Sequence, residues 1–255
     1  MGVKIVPAKD NAKMTDSPLP ILHEDPHFLV INKPAGLFSQ AAKGILAVEP
    51  LLKQQLRNRD SLAKDPFLGL PHRLDQWTSG LLLVAKSKLA LRQFGGQFQS
   101  RKVTKTYLAL LSGTLAEGTH VWEDRLRKVE GQPRSEVVPF DSDEGQLAKL
   151  EIRRLAVENG LTLARIELFT GRMHQIRVQA SRRGLPVAGD VTYCKNVPAE
   201  VSESDRGSRQ GHALHAWELG FRHPKTAVPL QFSAEPPVDW NKKFGPLMQA
   251  WEKAT

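Results

Sequence analysis

The chain is poor in cysteine: Cys194 is the only one among 255 residues. A single thiol excludes an internal disulfide framework and fits a reducing compartment. No apolar run approaches the ~20 residues that a membrane-spanning helix needs. The opening Met1-Gly-Val-Lys-Ile-Val6 also lacks the apolar core of a signal peptide, so a soluble, cytoplasmic protein is expected. The usual signatures of metal chemistry are missing too: there is no His-Glu-x-x-His unit, no cysteine set and no dense acidic cluster. Acidic residues are in the minority, 27 against 36 lysines and arginines, which leaves a formal charge of +9. Such an excess favours a polyanionic partner, because released counterions make phosphate binding strong and salt-dependent.

The length permits a substantial core in one domain or two closely packed lobes. Residues 1–20 carry Pro7, Pro18, Pro20 and scattered charges and read as an arm, 21–245 as the main domain and 246–255 as a tail. Strands are expected at Phe28 to Ile31, Leu81 to Ala85, Tyr107 to Leu111, Val121 to Leu126, Leu150 to Val157 and Leu161 to Leu168. In the last of these, Ala164, Ile166 and Leu168 alternate with Arg165 and Glu167, the pattern of a half-buried sheet. Ile45 to Leu56 carries a broad helical stripe, and Lys88 to Phe98 reads as a helix interrupted at Gly95-Gly96. Phe140 to Gly145 reads as an acidic, hairpin-like loop, and Lys195 to Gly211 as a polar loop. No strand-helix-strand unit repeats. The expectation is therefore an α+β fold: a mixed, largely antiparallel central sheet with flanking helices and a cleft.

The run Pro71-His-Arg-Leu-Asp-Gln-Trp-Thr-Ser-Gly80 places the carboxylate of Asp75 between a guanidinium and a turn that opens a strand. An ionised carboxylate held there can act as nucleophile, general base or metal ligand. Taken alone, it equally fits a turn residue bonded to its own backbone.

The full string resembles the RluA-type family of RNA pseudouridine synthases, as do three further stretches: Phe28-Leu-Val-Ile-Asn-Lys-Pro-Ala-Gly36, Lys105-Thr-Tyr-Leu-Ala-Leu110, and Thr170-Gly-Arg-Met-His-Gln-Ile-Arg177 running on to Asp190 and Tyr193. Ala213-Leu-His-Ala216 and Phe221-Arg-His-Pro224 fit as well. The resemblance implies an isomerase that exposes a uridine of structured RNA, tRNA or ribosomal RNA, breaks its N-glycosidic bond and rejoins the ring through C5. The product is an isomer, so no cofactor and no metal are expected. It implies Asp75 as nucleophile, at the sugar C1′ or at C6 of the base, Arg177 as the cation that aims it, and Tyr107 as the platform for uracil. A guanidinium suits that task because its rigid fork makes a two-pronged contact that lysine cannot.

By the same resemblance, Arg73 is expected to hold the flipped nucleotide out of the stack and Arg172 to meet backbone phosphate. His72, Thr78, Ser79, Gly80 and His174 are expected to support the site, with Thr170 capping a helix after it. Trp77 is expected to pack beneath the loop. Three positions depart from many relatives: Gln76 replaces an arginine, Gln179 a histidine and Cys194 a glycine. No small RNA-binding domain precedes the motifs, so a monomer that recognises a local stem-loop is expected. Two other readings exist: a catalytically silent RNA-binding module, which would make no pseudouridine, and a metal-dependent nuclease using His72, Asp75 and His174, which would cleave RNA.

Overall fold

Alternating apolar residues in Phe28–Lys33 and Ser79–Ala85 send side chains to both faces of a sheet, and each face is covered. In the computed structural model, which describes residues 18–40, 45–194 and 211–252, Leu29, Ile31, Leu82 and Val84 join one apolar cluster. Phe28, Val30, Leu81 and Leu83 join another, with Ala90 and Phe94. A strand buried on both faces reads as a continuous apolar run, which is why Leu81 to Ala85 stands out in the sequence.

Ten strands form one sheet: β1 Ile21–Glu24, β2 Phe28–Lys33, β3 Ser79–Ala85, β4 Thr104–Ser112, β5 Thr119–Lys128, β6 Ser135–Val138, β7 Gln146–Glu158, β8 Leu161–Leu168, β9 Leu214–Arg222 and β10 Pro229–Ser233. Their order is β1-β2-β3-β9-β4-β8-β7-β5-β6, with β10 also paired to β9. Every described pairing of strands is antiparallel except β3 with β9. The α+β architecture is thus the expected one. The helices are α1 Val48–Arg59, α2 Lys88–Gln99, α3 Gln175–Arg182, α4 Val238–Lys243 and α5 Gly245–Glu252. None of the described helices is long and apolar enough to cross a membrane.

The parallel β3–β9 contact spans two residue pairs, Ser79 with His215 and Gly80 with Ala216. Gly80 is required there: its φ is +107°, and a Cβ would lie 2.2 Å from Ala216 O. Beyond this point β10 pairs with Glu218–Arg222 of β9, so the sheet forks just where the Asp75 loop enters it. Asn159 and Gly160, both at positive φ, close the β7–β8 hairpin.

Several local expectations differ from the fold. Helix α2 runs unbroken through Gly95-Gly96. Two glycines cost about 2 kcal/mol in a helix, while burying Phe94, helped by Leu91 and Phe98, returns more, about 1.5–3 kcal/mol for a fully buried side chain. Ser87 Oγ also caps the first turn, accepting from Ala90 N at 3.1 Å. Phe140 to Gly145 is not a hairpin, because β6 and β7 lie on opposite sides of β5 and the loop crosses its end. Within the segment 246–255, α5 buries Leu247 and Met248 beside Trp240. Most of the arm 1–20 and of the loop 195–211 lies outside the described residues.

Candidate active site

The Asp75 loop leads into β3 and is fastened from below. Lys33, at the end of β2, is fully buried and donates to the carbonyls of Pro34, Leu37 and Gln76 at 2.9, 2.7 and 2.9 Å. Ser39 Oγ donates to Leu74 O at 2.8 Å and accepts from Leu74 N at 3.0 Å, and Gln76 Nε2 donates to Gly36 O at 3.0 Å. The turn itself closes with Thr78 N donating to Asp75 O at 3.1 Å. Burial pushes the Lys33 ammonium down to about 7, against the pull of Asp75.

The supporting residues anticipated from sequence are spread around that loop. Thr78 Oγ1 is 2.9 Å from His212 Nε2, and Ser79 Oγ is 2.8 Å from His215 Nδ1, whose Nε2 is 2.9 Å from Ala234 O. Burial pushes His212 and His215 down to about 4, so both are neutral. His72 Nε2 accepts from Leu83 N at 3.0 Å and its ring stacks on Phe98; burial, then Lys105, pushes it to about 3. Trp77 packs against the backbone of Gly211, where a Cβ would lie 2.4 Å from it.

Helix α3 supplies the cation. Arg177 is buried, and its guanidinium spans two carboxylates: Nε and Nη2 donate to Asp190 Oδ2 and Oδ1 at 2.6 and 2.9 Å, while Nη1 donates to Asp75 Oδ2 at 3.1 Å. The two-pronged contact expected for Asp75 therefore goes to Asp190, and Asp75 receives a single prong. Burial alone would raise Asp190, but its hydrogen bonds to Arg177 hold it below the usual carboxylate range. Asp75 Oδ1 accepts no hydrogen bond from the described residues and is left for chemistry.

The start of α3 is not capped by Thr170. His174, at φ 56°, occupies the cap position, and Thr170 Oγ1 accepts from Lys149 N at 2.8 Å and donates to Gln175 Oε1 at 2.8 Å. The intervening turn is tied to β7 rather than wound into the helix. His174 Nδ1 lies 2.9 Å from Tyr193 Oη, which accepts from Ser135 N at 2.8 Å. With Tyr193 as donor, the hydrogen of His174 resides on Nε2, 3.8 Å from Asp75 Oδ2. Burial lowers the His174 ring from its ordinary value, against the pull of Asp75. The Arg177 guanidinium also lies over the Tyr193 ring, 5.1 Å from its centroid.

Tyr107, on β4, is 8% exposed and its hydroxyl has no hydrogen-bond partner among the described residues. Burial and then the charge of Asp75 push that hydroxyl above its usual range, which places it within the field of the carboxylate. Arg73 is exposed and makes no ion pair with a described residue. Arg172 donates through Nε to Leu147 O at 2.9 Å and through Nη1 to Gln146 Oε1 at 2.7 Å, and its Nη2 has no acceptor among the described residues.

Sequence reasoning gave no role to Asp190, Tyr193, Lys33, Ser39, His212 or His215. Four of them lie inside the stretches that carry the resemblance, and a guanidinium fork that must meet two acceptors was the available signal for Asp190. Among the described residues Asp25, His27 and His223 could also converge on an ion. His223 Nδ1, however, accepts from Lys225 N and Thr226 N at 3.1 and 3.0 Å. The ring hydrogen then sits on Nε2, 3.2 Å from Asp25 Oδ2, and the histidine serves as a latch between turns. A cavity of about 2070 Å³ is lined by Trp77, Tyr193 and His212 but not by Asp75, Tyr107 or Arg177, so charge geometry rather than volume locates the site.

A mostly antiparallel α+β sheet with a carboxylate held by one arm of a guanidinium defines the class, the pseudouridine synthase fold. Residues 27–182 match the family model described as RNA pseudouridylate synthase, and the chain belongs to that family of isomerases. It is 37% identical over 223 residues to the ribosomal large subunit pseudouridine synthase D of Nitrosomonas europaea, covering 87% of this chain and 63% of that one. To the protein of the same name from Zymomonas mobilis it is 33% identical over 236 residues, covering 91% and 74%. The chain thus spans about two thirds of the length of these relatives. Among solved structures, human RNA pseudouridylate synthase domain containing 1 aligns with a TM-score of 0.68 at 26% identity, over 91% of this chain and 87% of that one. Human RNA pseudouridylate synthase domain containing 4 shares the fold with a TM-score of 0.72 at 23% identity, over 90% and 93%.

Proposed function

We propose that the chain isomerises uridine to pseudouridine in RNA, with Asp75 as the nucleophile. The observation that carries this is the 3.1 Å contact between Arg177 Nη1 and Asp75 Oδ2, made by residues 102 apart in sequence. The contact fixes one oxygen of Asp75 while the other stays free to attack. Attack at C1′ or at C6 both begin from that geometry. The bond from the sugar to N1 breaks, the base turns, C5 bonds to C1′, and the C5 proton leaves as N1 gains one; atoms balance without water or a redox partner. Tyr107 supports the uracil face, and its unpartnered hydroxyl is available for a polar atom of the ring or the C5 proton. Arg73, exposed at the lip of the loop, is suited to fill the stack left by a flipped nucleotide.

Ribosomal RNA is the proposed substrate, supported by the names of the relatives described above. The test is incubation of unmodified ribosomal RNA with the protein in the presence of chelator, followed by digestion to nucleosides. Pseudouridine without strand cleavage is expected. Cleavage, or activity restored only by a divalent ion, overturns the reading.

A further inference from the structure

Lys105 has a role that the chemistry at Asp75 leaves unused. It sits two residues before Tyr107 on β4, so the two side chains share a face, about 7 Å apart along the strand. Its ammonium lies against the turn before α3: a Cβ on Gly171 would be 3.6 Å from Nζ. Lys105 is half-buried, and among the described residues its ammonium has no hydrogen-bond acceptor and no carboxylate partner. The charged groups that act on it are cations: Arg101, on the turn after α2, and Arg172, on the turn before α3. His72, from the Asp75 loop, also feels it but is neutral. Three cations gathered at one place repel one another, and an anion set among them would relieve that repulsion.

We propose that Lys105, Arg101 and the free Nη2 of Arg172 form a phosphate-binding site at the mouth of the Asp75 cleft, which takes a backbone phosphate of the RNA beside the target uridine. The inference rests on the functional reading above and adds a contact that fixes register rather than chemistry. Because Tyr107 and Lys105 project from the same face of one rigid strand, a base on the first and a phosphate on the second set the position of the sugar relative to Asp75. Burial and the two arginines push Lys105 down to about 8. Binding a phosphate favours its protonated form, so affinity should fall as pH rises from 7 to 9, a window in which His72, held at about 3, stays neutral.

The experiment measures binding of a fluorescent oligouridylate across a salt series at pH 7 and 9, using the full chain and Lys105→Gln, Lys105→Arg and Arg101→Gln variants. Lys105→Gln should weaken binding at pH 7 at least about tenfold and lower the salt slope by about 0.7. Lys105→Arg should retain affinity and lose the pH dependence. Arg101 is exposed, so Arg101→Gln tests the same site even where Lys105→Gln fails to fold, and it should also lower the slope. Unchanged slopes in Arg101→Gln and in a folded Lys105→Gln overturn the site. Pseudouridine formation by the unaltered chain is assayed in parallel: its absence would count against the functional reading, whereas the oligouridylate result bears on the phosphate site alone.

Discussion

The underside of the Asp75 loop and its rim are built from the same kinds of residue but differ in how their polar groups are paired. Below, Lys33, Ser39, Thr78, Ser79, His212 and His215 are buried and each has a partner within 3.0 Å. Above, Arg73, Lys105, the Tyr107 hydroxyl and Asp75 Oδ1 have no hydrogen-bond partner among the described residues. Buried polar groups are paired as a rule, so the paired set holds the loop still, while the unpaired groups of the rim are left for a ligand. Arg177 joins the two: its fork to Asp190 belongs to the framework, and its third donor reaches the carboxylate of Asp75.

The comparison breaks most sharply at Asp75. Asp75→Asn keeps the shape and removes the anion; turnover should fall at least about 1000-fold, roughly 4 kcal/mol of barrier, while RNA affinity is retained. Single-turnover rates on a sequence-verified, non-deamidated sample check this, and near-normal turnover would falsify Asp75 as nucleophile.

Asp190→Asn attacks the framework side of Arg177. Removing one partner of a buried pair costs about 3–5 kcal/mol, so urea unfolding should show a large loss of stability together with reduced turnover, because Arg177 is free to swing its fork onto Asp75. An unchanged unfolding midpoint would mean that Asp190 does not hold the helix in place.

The neutral histidines below the loop sharpen the contrast through pH. Folded His215 sits at about 4, below its ordinary 6.5, so between those values the unfolded chain binds more protons and stability rises with pH. His212, also at about 4, acts in the same direction. Each should contribute up to about 1.4 kcal/mol per pH unit. Denaturation at pH 5 and 7 should find the protein weaker at pH 5, and His215→Asn should flatten that dependence; identical curves for the two proteins would remove His215 from the acid response.

The smallest effect belongs to the rim. Tyr107→Phe keeps the ring and deletes a hydroxyl with no protein partner, so folding stability should be nearly unchanged. Turnover should fall by about 0.5–1.5 kcal/mol, roughly two- to tenfold. A loss of stability with normal turnover would place the hydroxyl in the framework instead.

Much of this was legible in the chain. Strand alternation in Leu161–Leu168, the apolar run at Leu81 to Ala85 and the absence of repeating strand-helix-strand units pointed to the α+β sheet, because these patterns follow from local geometry and burial. The resemblance carried by the runs around Asp75, Tyr107 and Arg177 drew attention to the groups that the fold then brings into one electrostatic cluster. Strands β1, β6, β9 and β10 were not legible: β1, β6 and β10 are short edge strands with weak alternation, and the central β9 has its apolar run broken by Glu218 and Gly220. Helix α2 passed through Gly95-Gly96 because tertiary burial of Phe94 outweighs local propensity.

The sequence by itself determined which chemistry-bearing residues exist and on what kind of segment each sits, for these depend on composition, periodicity and short spacing. Only the tertiary structure decided how they share their hydrogen bonds. Arg177 gives its fork to Asp190 and one arm to Asp75, Thr170 ties a turn to β7 instead of capping α3, and Lys105 stands with two arginines and no acid. Each of these outcomes depends on which distant strand or turn delivers an acceptor within about 3 Å. No local pattern encodes that distance; it is set by the register of the sheet and by the fork between β3 and β9 at Gly80.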